Sequence, residues 1–190
     1  EFDGEILSEI DEGIREEIVE ALEPEVLAEA VRELESDDVV DLLEDIDEPV
    51  QRGLILGALD QSERAAVEQA MSYPEHSAGR LMQREVVVAP VDWTVGQAID
   101  FLRGADHLPD QFYHVILVDP RMKPQGYVTL GRILSAGREA RLRDLTEDSF
   151  RTIEATESET EVAYIFNQYH LISCPVVDAD GRLVGVITID

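Results

Sequence analysis

Along its first 70 residues the chain alternates short apolar stripes with acidic breaks. Cap-type residues or prolines recur near Asp11, Glu23-Pro24, Ser36, Asp47-Glu48-Pro49 and Asp60, 11 to 13 residues apart. Between them apolar positions fall at helical spacing: Val26, Leu27, Ala30, Val31 and Leu34, then Val39, Val40, Leu42, Leu43 and Ile46. This period predicts a series of short helices. Pro24 and Pro49 suit first-turn positions, and Ser36 and Asp60 suit N-caps. Helices this short are unstable alone in water, so the series is expected to stack as a superhelical array around one core.

From about Tyr73 the composition shifts toward Val, Thr and Pro, and one pattern occurs twice. Ile116-Leu117-Val118-Asp119 leads to Gly126-Tyr127-Val128-Thr129, and Pro175-Val176-Val177-Asp178 leads to Gly185-Val186-Ile187-Thr188. In both, seven positions separate Asp from Gly (119 to 126, 178 to 185). Two apolar runs around a polar turn read as a β-hairpin, and its recurrence reads as a duplicated unit. Upstream, Val88 to Leu102 aligns with Ile153 to Phe166, each a short strand, a Thr-containing turn and an amphipathic helix. Each copy is therefore expected to run strand, helix, strand, strand and closing helix.

That arrangement resembles the cystathionine-β-synthase (CBS) domain pair. The run Tyr73-Pro74-Glu75-His76-Ser77-Ala78-Gly79-Arg80-Leu81-Met82, entering the first copy, is similar to the junction of MgtE-type magnesium channels, in which an acidic helical domain precedes a CBS pair. The resemblance implies an α+β chain: an all-α superhelical N domain at 1–72, a junction at 73–82, a first CBS domain at 83–140 and a second at 141–190. The last motif stops at Ile189-Asp190 without a closing helix, so the chain reads as a fragment, and the resemblance implies that a membrane pore follows it.

Charge sharpens the picture. Net charge is −27, from 42 acids and 15 bases, which argues against nucleic acid as a partner, since phosphate binding needs a basic surface. Residues 1–70 hold 24 Asp and Glu against four arginines (Arg15, Arg32, Arg52, Arg64), net −20, whereas 71–190 hold 18 acids and 11 bases, net −7. Salt adaptation would acidify both halves similarly. Like charges at this density repel within a fold unless they are well solvated or a cation sits among them. The single Cys174 excludes an internal disulfide and suits a buried strand position in a reducing compartment. The longest apolar stretches, such as Leu54 to Leu59, are too short to span a bilayer.

Catalytic signatures are missing: the sequence holds no GxGxxG, P-loop, GxSxG, HExxH or paired-Cys zinc spacing, and His76, His107, His114 and His170 are scattered. We therefore expect a non-enzymatic chain. Carboxylates read better as ligands of Mg²⁺, a hard cation that keeps much of its water and needs only one or two protein carboxylates. Asp37 and Asp41 lie four apart, on one face of their helix. By resemblance, Glu5, Asp37 and Asp41 fall where MgtE-type proteins place acidic ligands of regulatory Mg²⁺, joined by a backbone carbonyl near Gly79. In the second CBS copy this chain has Ser158, Thr160 and His170 where the family places acids, with Glu157, Glu159 and Glu161 adjacent. CBS pairs that hold adenine nucleotides usually carry an Asp three residues after the hairpin Thr. Here the first copy has Arg132, free to meet phosphate instead, and the second would need residue 191, so weak ATP binding or none is expected.

Two functions follow from this. The first is a Mg²⁺ sensor on the cytoplasmic face of a multi-pass membrane protein, closing an attached pore when Mg²⁺ bridges the acidic domain to the CBS pair. The second is an adenine-nucleotide-sensing CBS module of another transporter or enzyme; the acidic array and the missing ribose-gripping Asp favour the first. Apolar positions Ala98, Ile99, Phe101 and Leu102, with Val162, Ile165 and Phe166, predict a homodimer through the CBS helices.

Overall fold

The computed structural model describes residues 4, 6–109 and 111–189, with the side chain of residue 12 left out. The chain divides into two units, Glu1–Glu75 and His76–Asp190.

In the first unit six helices follow one another: α1 (Ile6–Glu9), α2 (Glu12–Ala21), α3 (Pro24–Val31), α4 (Ser36–Asp45), α5 (Pro49–Ala58) and α6 (Gln61–Met71). Contacts skip one helix, α3 against α5, α4 against α6 and α2 against α4, which is how a superhelical stack buries helices too short to stand alone. Leu27, Val31, Val40, Leu43, Ile55 and Val67 meet in one shared core. Pro24 and Pro49 open their helices. Asp60 caps α6 with a full capping box, its Oδ1 accepting from the Glu63 N–H at 2.9 Å while Glu63 Oε2 accepts from the Asp60 N–H at 2.8 Å. Ser36 differs from expectation. It is the first residue of α4 and is buried, and Glu35 takes the N-cap position.

The four arginines of this unit have structural tasks. Arg15 pairs with Asp45 at 2.7 Å and also donates to the Ile10 carbonyl. Arg52 Nη1 donates to the carbonyls of Leu43 and Ile46 at the end of α4, and Arg32 Nε to that of Ala58 at the end of α5. Cations on these terminal carbonyls satisfy orphan acceptors and complement the helix dipole. Arg64 pairs with Glu68 on the surface of α6. All four arginines of the unit are thus already engaged.

The second unit opens with α7 (Ala78–Leu81). The first copy is β1 (Val88–Pro90), α8 (Val95–Gly104), β2 (His114–Val118), β3 (Pro124–Thr129) and α9 (Leu130–Ser135); after a short 3-10 turn the second is β4 (Ile153–Glu154), α10 (Glu159–Tyr169), β5 (Ser173–Val177) and β6 (Leu183–Thr188). Each copy forms a three-stranded sheet whose first strand runs parallel to the second and whose hairpin is antiparallel. The strand pairing matches Ala89, rather than Val88, with Ile153, because Ala89 opposes Leu117 as Ile153 opposes Val176.

The repeated Asp and Gly acquire physical reasons. Asp119 Oδ1 accepts from the N–H groups of Arg121 and Lys123, and Asp178 Oδ1 from those of Asp180 and Arg182, so each aspartate ties its own hairpin turn. Both turns reach positive φ, at Met122 (60°) and Gly181 (76°). Gly126 and Gly185 stand where another segment presses on the sheet. A Cβ on Gly126 would lie 2.7 Å from Thr146 Cγ2, and one on Gly185 2.7 Å from the Gln83 carbonyl oxygen.

The segments opening the two copies are exchanged. His76–Gly79 bonds to the start of α10: the Ala78 N–H donates to the Glu157 carbonyl, Gly79 N–H to Ala155, and Glu159 N–H to His76. Correspondingly, the Val95 N–H at the start of α8 donates to the Ala140 carbonyl and Gly96 N–H to Arg138. Isolated bridges join Ser77 to Ser158 and Thr94 to Arg141.

Of the predicted dimer stripe, Ala98, Val162 and Phe166 are buried within the unit, while Phe101 stays exposed beside Trp93. Cys174 is buried in β5. Among the described residues no helix is long and apolar enough to cross a membrane.

Candidate functional site

Two places carry chemistry. The first is α4. Its apolar positions Val39, Val40, Leu42 and Leu43 are buried, which fixes the helix and sets Asp37 and Asp41 one turn apart along it. Asp41 is exposed and Asp37 half-buried. The Asp37 Oδ1 is buried and has no hydrogen-bond partner among the described residues. Burial, with the charges of Asp38 and Glu35 added, pushes the Asp37 carboxyl up to about 7, and backbone N–H groups at 37 and 38 draw it only part of the way back. Asp41 is also raised, first by desolvation and then by Glu44 and Asp45, against the pull of Arg15.

A divalent cation fits such a carboxylate, since it replaces the proton and supplies the missing partner. Among the described residues no three His, Cys, Asp or Glu side chains converge as a closed metal cage. Mg²⁺ held by one or two carboxylates plus water does not need one. Of the sequence-predicted ligands, Glu5 lies outside the described residues. Gly79 sits in α7 of the second unit, its N–H given to the Ala155 carbonyl. Ser158 and His170 have local tasks. Ser158 caps α10, accepting from the Glu161 N–H, and His170 ends that helix in the left-handed conformation.

The second place is a small cleft in the repeat pair, which motif reading missed because its walls come from distant segments. Val86 and Val87 lead into β1, Tyr113 and His114 open β2, and Val186 and Thr188 close β6. His114 Nδ1 and Ser173 Oγ are 2.6 Å apart, a bond between equivalent positions of the two copies, and the His114 ring lies 4.1 Å from that of Tyr127. Burial lowers the His114 pKa, with Glu147 partly opposing, so a neutral imidazole lines the cleft. Gln83 is buried beside it, its backbone N–H donating to the Val186 carbonyl at 2.9 Å. Apolar walls with a few convergent polar groups suit a flat, hydrogen-bonding ligand. Arg132 is not in this cleft. It pairs with Glu147 at 2.9 Å and donates to the Leu145 carbonyl, so its guanidinium is engaged rather than free for phosphate.

Comparison with known proteins agrees with both halves. The MgtE intracellular N domain profile matches residues 1–76, and the CBS domain profile matches 78–139 and 142–190. The chain is 30% identical over 156 residues to the magnesium transporter MgtE of Thermus thermophilus, covering 81% of this chain and 35% of that protein. It is 26% identical over 161 residues to the magnesium transporter MgtE of Bacillus subtilis, covering 85% and 36%. It spans about a third of the length of these curated relatives. The crystal structure of the cytosolic domain of the Mg²⁺ channel MgtE in complex with ATP superposes with a TM-score of 0.91 at 30% identity, over 98% of this chain and 76% of that one. With the helical N domain and the CBS pair matched in order along the sequence, the chain belongs to the MgtE family of magnesium transporters.

Proposed function

We propose that this chain is the Mg²⁺-sensing regulatory part of a longer MgtE-type channel, working on the cytoplasmic side of the membrane. Mg²⁺ collects at α4 through Asp37 and Asp41, with Glu5 and the Gly79 carbonyl as further candidates, and draws the acidic unit to the CBS pair. That arrangement favours closure of the pore carried elsewhere on the polypeptide, and loss of the ion releases it. The observation that carries the reading is the buried, unpartnered Asp37 Oδ1 in a segment of net −20 whose arginines already have structural tasks. The CBS pair is proposed to hold the assembly as a homodimer.

Small-angle scattering and limited proteolysis test this directly. Millimolar Mg²⁺ should compact the particle and protect residues 73–84 from cleavage, and NaCl of equal ionic strength should not, because simple screening acts over only about 8 Å. The D37N/D41N pair should lose the response while staying folded. Identical profiles in EDTA, Mg²⁺ and matched NaCl would sink the reading.

A second ligand has its own support. The cleft lined by Val86 and Thr188 joins apolar walls to a few polar groups, and the relative that superposes on this chain is in complex with ATP. The reason drawn from Arg132 for doubting ATP concerns a residue outside this cleft. Nucleotide binding here is thus proposed alongside Mg²⁺ sensing.

A further inference from the structure

Among the described residues of the acidic unit, α5 is the one helix that exposes no charge. Ile55 and Ala58 join the core, and the helix packs against α3. Its exposed positions are Pro49, Val50, Gly53, Leu54 and Gly57, with Val50 68% and Leu54 39% open to solvent. Each other helix of the unit exposes at least one carboxylate: Glu9, Glu16, Glu25, Asp41 and Glu63 in turn. The two glycines have no task inside the unit. Neither has positive φ, a Cβ at either would meet nothing within 4 Å, and glycine weakens a helix interior relative to alanine. What they supply is a flat surface on which the backbone of another helix can lie close.

The face is also complementary to itself. Val50, Gly53, Leu54 and Gly57 alternate large and small. When a copy of α5 is laid antiparallel, with Gly53 of each opposite Leu54 of the other, Val50 of each falls opposite Gly57 of the other. Every large side chain then meets a glycine, as a twofold contact requires. A parallel copy would set Val50 on Val50. The antiparallel register brings Glu48 to the end of α5 where Arg32 donates to the Ala58 carbonyl, a charge-complementary contact, and it brings Asp47 toward Asp60.

We propose that α5 is a self-docking surface, on which the α5 of a second copy of this chain lies antiparallel. Its 10 residues make a helix about 15 Å long, and a contact of that size falls short of the roughly 1,000 Å² of a lasting interface. The contact is therefore weak and reversible, made where copies are crowded or already joined, and salt strengthens it by screening the surrounding carboxylates. It is separate from any pairing through the CBS helices and needs neither Mg²⁺ nor nucleotide.

Disulfide trapping in the full chain tests this. V50C/G57C places both members of the expected contact in one chain, and they cannot bridge within it, because seven residues of helix hold their Cα atoms about 10 Å apart. Under mild oxidation in EDTA, V50C/G57C should yield covalent dimer at least about fivefold above V50C or G57C alone, and more again in about 0.5 M NaCl. Adding G53L, which sets leucine on leucine, should abolish the excess, with circular dichroism showing that the chain is folded. Equal yields from the three variants, most dimer from V50C alone, or an excess that survives G53L overturns the proposal. G53A/G57A gives a second readout. Helix propensity should raise its melting temperature, and a lower one would mean that the glycines serve the fold and not a partner.

Discussion

Arg15 offers the sharpest test of how the acidic unit holds together. Its guanidinium meets Asp45 at 2.7 Å with side chains 11% and 17% exposed, and donates a second bond to the Ile10 carbonyl. Replacing one member of a buried pair leaves the other charge unbalanced, at about 3–5 kcal/mol when burial is complete. Here Asp45 keeps some contact with water, which lowers the figure, while Asp41 and Glu44 nearby raise it. We expect R15M to cost about 2–4 kcal/mol, and D45N less, about 1–2 kcal/mol, because the arginine keeps its carbonyl bond. The R15M/D45N double variant should show a coupling of at least about 1 kcal/mol. The units can be followed separately in urea. Trp93, the only tryptophan, lies in the second unit, so its fluorescence reports on the CBS pair, whereas far-ultraviolet circular dichroism senses the helices of both. R15M should shift the dichroism transition and leave the fluorescence transition in place. A loss below about 0.5 kcal/mol, or single-variant effects that simply add, would refute the view of Arg15 as the internal counter-charge of this unit.

Other consequences are equally open to measurement. Asp37 has a folded pKa of about 7 against an ordinary 3.8, so its contribution to stability is complete below about 3.8 and is lost as pH rises through 7; in EDTA the acidic unit should weaken across that window. The full shift corresponds to roughly 4 kcal/mol, reduced by screening at a half-buried carboxyl to about 1–2 kcal/mol, and D37N should remove that pH dependence; an equally sloped profile in D37N denies the assignment. G185A should destabilise the CBS pair by about 1–3 kcal/mol, because the new methyl meets the Gln83 carbonyl, whereas G126A meets a Thr146 methyl that can rotate and should cost less; Trp93 fluorescence in urea would show the reverse order if the contacts are misjudged. Burial pushes the Cys174 thiol up to about 12 despite Arg151, so in the folded protein iodoacetamide at about pH 8 should label it at least about 100-fold more slowly than a free thiol, and rapid labelling would contradict its burial.

Much of the fold could be read from periodicity because the signals are local. Pro24, Pro49 and Asp60 act within one helical turn, and the Asp-to-Gly spacing of the hairpins reflects a turn and a close approach at fixed positions. Ser36 was misjudged as a cap because residue type alone does not show which side of a helix start faces the core. The one-residue slip at Ala89 and Ile153 has a similar origin: strands this short carry little pattern, and only pairing with the next strand fixes their register. The cleft was invisible because Val86, His114, Ser173 and Thr188 lie far apart along the chain, and their approach is a product of the duplication. Arg132 looked like a phosphate contact for the same reason, since nothing local announces Glu147 as its partner. At α4 the spacing of Asp37 and Asp41 was legible; that Asp37 is half-buried with an unpartnered oxygen was not.

The exchanged opening segments of the CBS pair have a consequence for how the protein can be divided and pulled. The stretch of gene that was duplicated and the stretch of chain that folds as a body are different. Cutting between the repeats at residue 136, just after α9, would strip α8 of the strand-like partner at Arg138–Arg141 and α10 of the one at His76–Gly79, so neither half should keep its helix start. Tension has an unexpected route as well. A pull on the backbone at residue 76, where the chain arrives from the helical unit, loads the bonds from Ala78 and Gly79 to Glu157 and Ala155, and so reaches the second repeat before the first, to which it is joined in sequence.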